Sequence, residues 1–165
     1  MARVSLVGVV VLSVLGIGLG SCQGGKEAAA AKRNPEELGA EIGASYCKLM
    51  EELSAAVGSG AEASAVAPLV AQLKEKYVRE MVELGRQREA LAPNDRERCD
   101  GVARTRMLKV PDEQLQALDT AQEALRAQDA ELAKRLEELR RVTRYANFDQ
   151  LRAQLPDEAK RLGIQ

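Results

Sequence analysis

Residues 111–146 read PDEQLQALDTAQEALRAQDAELAKRLEELRRVTRYA, and this stretch decides the fold class. Pro111 followed by Asp112 and Glu113 is helix-start chemistry: a residue with no N–H to satisfy, then two acids facing the positive helix end. Leu118, Leu125, Leu132 and Leu139 then recur every seven residues. Between them lie Glu, Gln, Arg, Lys and Ala, which lose little side-chain freedom in a helix. The pattern predicts one continuous helix ending near Ala146, about 35 residues or roughly 50 Å long.

Two packings compete for that helix. A leucine-zipper reading pairs two copies of the chain through Leu118, Leu125, Leu132 and Leu139. Its intervening seam positions would be Leu115, Gln122, Asp129, Leu136 and Thr143, and burying Asp129 and Gln122 in a symmetric seam is costly. The favoured expectation is a monomer with the helix packed antiparallel on the first two helices. A homodimer through the leucine stripe is the alternative.

Working backwards, Asn34-Pro35-Glu36-Glu37 combines an N-cap, a proline at the first helical position and two first-turn acids. Leu38, Ile42, Leu49, Leu53 and Val57 form one apolar stripe up to Gly58-Ser59-Gly60. Gly39, Gly43 and Cys47 lie beside it at four-residue spacing, which predicts close backbone packing on a neighbour. A second helix is expected from Ser64 or Val66 to Leu91, with Val66, Val70, Leu73, Tyr77, Met81, Leu84 and Leu91 as its stripe. A short third helix follows Asn94, paired with Glu97 as a capping box. Its inner side should hold Cys99, Val102, Ala103, Met107 and Val110. Past Ala146, Asn147 with Gln150 predicts another N-cap, and Pro156-Asp157-Glu158 a last turn that Gly163 ends. The expected fold is all-α: an elongated antiparallel bundle of three to four main helices in residues 34–165, plus a short C-terminal helical cap.

At the other end of the chain, Arg3 precedes eighteen uncharged residues, Val4 to Ser21, and Leu19-Gly20-Ser21-Cys22 closes the run. The order Leu-small-small-Cys resembles the lipobox of bacterial lipoproteins. The resemblance implies that residues 1–21 are removed as a signal peptide and that Cys22 is acylated and becomes the N-terminus. Gln23, where such proteins carry Asp if they stay at the inner membrane, implies the outer membrane, facing the periplasm, in a cell with two membranes. A signal anchor and an ordinary secretory signal are the competing readings. Residues 22–33 are then the acylated cysteine and its tether, with Gly24, Gly25 and four alanines but no large apolar side chain.

The mature chain would keep 144 residues with 23 basic and 25 acidic side chains. That balance is not one for nucleic acid. With one phenylalanine, three tyrosines and no tryptophan, the core must be aliphatic. With Cys22 acylated, Cys47 and Cys99 remain as an even pair, both on inward helix faces. In an oxidising compartment they are expected to form a disulfide worth about 4 kcal/mol.

The chain has no histidine, which removes the usual general base and the commonest zinc ligand. No phosphate-binding or dinucleotide fingerprint occurs, so neither cofactor nor metal is expected. Glu51/Glu52 and Glu137/Glu138 are sequence neighbours and diverge around a helix. Arg96, Arg98, Arg104, Arg106 and Lys109, and again Lys134, Arg135, Arg140, Arg141 and Arg144, read as solvated faces interrupted by acids. The function expected is non-catalytic: a membrane-tethered scaffold, adaptor or structural protein that offers helix surface to an envelope partner. A cell-wall glycan hydrolase with carboxylates converging from distant positions is the alternative.

Overall fold

Asn34 caps the first helix as its sequence demands: its side-chain oxygen accepts the N–H of Glu36 at 2.9 Å, and α1 runs Pro35–Ala56. The computed structural model describes residues 33–58 and 62–165. The signal segment, Cys22 and the tether as far as residue 32 lie outside the described residues. The other helices are α2 (Ala63–Glu89), α3 (Pro93–Met107), α4 (Asp112–Gln128), α5 (Ala130–Arg140), α6 (Phe148–Gln154) and α7 (Pro156–Arg161). A 3-10 turn, Val142–Ala146, links α5 to α6. No strand occurs among the described residues, and the helices pack around one core that is aliphatic apart from Tyr77, Tyr145 and Phe148.

Leu38, Ile42, Leu49, Leu53 and Val57 of the α1 stripe are all buried. α1 packs along α3 more extensively than any other helix pair. Gly39 and Gly43 permit it: a Cβ at either position would overlap the Cys99 carbonyl or the Arg106 side chain. Contacts between α1 and α2 run in opposite order, Ser45 to Glu80 at 2.5 Å and Glu52 to Lys76 at 2.8 Å. Those between α1 and α3 advance together, from Glu36 with Arg98 to Cys47 with Arg106.

The single long helix expected over 112–146 is not formed. Asp129 adopts an extended conformation, φ −152° and ψ 99°, ending α4 and capping α5 by accepting the N–H of Leu132 at 3.0 Å. The two helices fold back on each other, so Arg140 at the end of α5 reaches Asp119 at 2.5 Å and Gln122 at 3.2 Å. The leucines are therefore divided between two helices, and Leu118, Leu125, Leu132 and Leu139 are all buried inside the chain. Burying each contributes roughly 1.5–3 kcal/mol, far more than the modest cost of one extended residue that also supplies a cap.

α3 begins two residues earlier than its sequence suggests. Pro93 takes the first turn after Ala92, and Asn94 and Glu97 do not form a capping box. Downstream, Asn147 does cap α6, accepting the N–H of Gln150 at 3.1 Å, and Gly163 ends α7 with φ 70°. A glycine the stripe pattern does not single out, Gly85, fixes how this C-terminal cap docks. A Cβ there would meet the Phe148 ring at 2.5 Å and the Tyr145 carbonyl at 2.9 Å.

Candidate functional site

α2 carries more apolar surface than its stripe requires. Val78 and Val82 lie beside it and, with Val70 and Ala71, form one wall of a groove of about 770 Å³. α5 contributes Arg135, and the end of the chain contributes Glu158, Arg161 and Leu162. Hairpin formation at Asp129 is what brings α5 alongside α2, and Lys74 of α2 meets Glu138 of α5 at 3.2 Å. The groove is an apolar trough with a charged rim.

Most of the rim charges are committed within the chain. Lys74 holds Glu138, Arg86 holds Glu83 at 3.3 Å and Arg161 holds Glu158 at 2.7 Å. Glu158 also accepts the Tyr145 hydroxyl at 3.3 Å. The Arg161 hydrogen bonds hold the Glu158 carboxyl below the usual carboxylate range, while burial pushes the Tyr145 phenol up. Among the described residues Arg79, Arg135 and Glu75 form no ion pair.

A second, polar cleft of about 610 Å³ lies among α1, α4 and α5, lined by Tyr46, Asp119, Gln122, Glu123, Arg126, Glu137, Arg140 and Arg141. Its acids are largely tied down, Asp119 to Arg140 and Glu137 to Arg141 at 2.8 Å. Burial raises the Tyr46 phenol, opposed by nearby Arg140. A glycosidase-type general acid needs a carboxyl pushed upward. Among the described residues the two carboxyls displaced from their ordinary value, Glu52 and Glu158, are both displaced downward, Glu52 by its hydrogen bonds from Lys76.

The cysteine pair is corrected by the register of α1 on α3. Cys99 sits against Gly39, whereas the Cys47 thiol donates to the Arg106 carbonyl at 3.5 Å. The two levels are eight residues apart along α1, about 12 Å of helix rise, beyond what a disulfide spans. Both cysteines are free. Burial pushes the Cys99 thiol up to about 11, so it is an inert part of the core.

The adjacent carboxylates diverge as expected: Glu137 binds Arg141 while Glu138 binds Lys74. The basic clusters are less uniform than their spacing implies. Arg104, Arg106 and Lys109 are exposed, but Arg144 is buried. Arg96 folds over the α2–α3 turn, donating to the carbonyls of Leu91 at 3.0 Å and Glu89 at 2.5 Å. Sequence reasoning missed the groove because Val78 and Val82 flank the dominant stripe and Arg135 arrives from a distant segment. The one local signal was the spacing of Val70, Val78 and Val82, which keeps them on one helix face.

Among the described residues no group of three or more His, Cys, Asp or Glu side chains is placed to hold a metal ion, and no helix is long and apolar enough to cross a membrane. No family profile, curated protein or solved structure matches the chain.

Proposed function

We propose that this protein is a lipid-anchored lipoprotein of the cell envelope that works without turnover, as an adaptor holding a helix of another protein in the α2 groove. The lipobox-like Leu19-Gly20-Ser21-Cys22 supports the anchor and export. The observation that carries the adaptor role is the groove itself, an open trough between charged rims where Ala71 and Leu162 are accessible above the buried Val70, Val78 and Val82. Apolar contact along the trough would supply affinity and the rim orientation, as in other helix-in-groove recognition. Acylation at Cys22 would keep the groove within tether's reach of the membrane, facing the periplasm from the outer membrane in a cell with two membranes. A monomer suffices for this role.

Photo-cross-linking in living cells tests it. A benzophenone amino acid at Glu75 on the groove rim should give a discrete protein adduct. The same probe at Glu113, exposed on α4, should not. Ala71→Trp, which fills the trough from an exposed position, should abolish the adduct. No adduct at Glu75, or one indifferent to Ala71→Trp, would remove the adaptor role.

A further inference from the structure

From Val70 to Val82 the groove follows α2 for twelve residue steps, about 18 Å of helix rise. A trough of that length accommodates roughly three turns of a second helix lying along it. The charges around it do not balance. Of the five basic side chains on the rim, Lys74, Arg86 and Arg161 each hold an acid of this chain. Arg79 on α2 and Arg135 on α5 hold none among the described residues, and Glu75 is the one rim acid in the same condition. The surplus of uncommitted charge is positive and comes from two different helices.

We propose, building on the adaptor reading, that the groove's occupant is an acidic amphipathic helix whose apolar stripe seats in the trough over Ala71 and Leu162 and whose flanking carboxylates meet Arg79 and Arg135. A basic helix would bring like charge against both guanidiniums. An uncharged one would fill the trough but leave both cations without counter-charge as water is displaced. Carboxylates match the planar fork of arginine with two parallel hydrogen bonds, and arginine is enriched among the residues that dominate binding energy. Unlike the general helix surface of the adaptor reading, this assignment fixes the sign of the partner's charge.

Fluorescence anisotropy on the full-length protein in phosphatidylcholine nanodiscs tests the charge assignment with two labelled helical peptides. Each has about 18 residues, roughly five turns, with a leucine stripe flanked by glutamates in one and by lysines in the other. The glutamate peptide should bind about tenfold more tightly at low salt, the effect of two partly screened ion pairs. The gap should narrow as salt rises. Arg79→Glu with Arg135→Glu should reverse the preference, Arg79→Gln with Arg135→Gln should erase it, and Ala71→Trp should weaken both peptides. Equal affinities, a preference that survives charge reversal, or indifference to Ala71→Trp would overturn the assignment. If neither peptide binds while Glu75 still captures a partner sensitive to Ala71→Trp, the acidic helix is wrong and the adaptor role stands. If Glu75 captures nothing, the adaptor role falls with it.

Discussion

Arg88 of α2 grips Asp100 of α3 through two parallel hydrogen bonds of 2.7 Å, with Arg88 only 5% exposed. Asn147, the cap of α6, also donates to Asp100, at 3.4 Å. The Asp100 carboxylate, held by one buried cation, therefore ties α2, α3 and the C-terminal cap together. Asp100→Ala would leave the guanidinium buried with only Glu89 beside it, 3.1 Å away. The expected loss is about 3 kcal/mol, the lower part of the range for breaking a buried pair. Urea titration checks it, and replacing both partners by apolar residues should cost less than the single change.

Cys47 and Cys99 should remain separate thiols in the mature protein, even under oxidising conditions. Mass mapping without reductant should find each peptide unlinked. In the native state a maleimide should label partly exposed Cys47 well before buried Cys99. A Cys47-to-Cys99 cross-linked peptide from folded protein would contradict the α1–α3 register.

Alkaline pH should destabilise the fold through two buried groups, Tyr77 and Cys99. The Tyr77 phenol, first through burial, is pushed from 10.0 up to about 12, and the Cys99 thiol from 9.0 up to about 11. Above pH 9 to 10 the unfolded chain releases these protons before the folded one does, so stability present at neutral pH declines as pH rises towards those folded values. Cys99→Ala should make thermal denaturation less steeply dependent on pH between about 9 and 11.

Acid should act with the opposite sign through Glu158 and Glu52. Both carboxyls lie below their reference value of 4.5 in the fold, Glu158 chiefly through Arg161 and Glu52 chiefly through Lys76. Their contribution is present above that value and is lost as pH falls through the folded pKa. Glu158→Gln should shrink the drop in melting temperature between about pH 5 and about pH 3.

Leu132→Ala opens a cavity where α5 packs into the core, since Leu132 is 1% exposed. A loss of about 2–5 kcal/mol is expected, with an unfolding midpoint that does not move with protein concentration. A midpoint that climbs with concentration would mean that the leucines serve a dimer.

Cys22→Ala should abolish acyl labelling and leave the precursor uncleaved, because the thiol is the proposed acylation site. Persistent lipid label in that variant would end the lipoprotein reading.

The sequence alone determined the helical class, the aliphatic core, the start of α1 at Asn34-Pro35, the Asn147 cap and the Gly163 stop, because each is written within a few neighbouring residues. It also foretold that Gly39 and Gly43 would admit a close neighbour, though not that α3 would be that neighbour. Only the tertiary structure decided that the leucine heptads split at Asp129, a residue equally compatible with a helix surface and a cap. Burial of four leucines on two facing helices tips that choice. Tertiary structure likewise set Cys47 and Cys99 at different heights and buried Arg88. It brought Arg135 beside Val78 and Val82 as well. Register and convergence are sums over contacts between distant segments, and no local periodicity carries their sign.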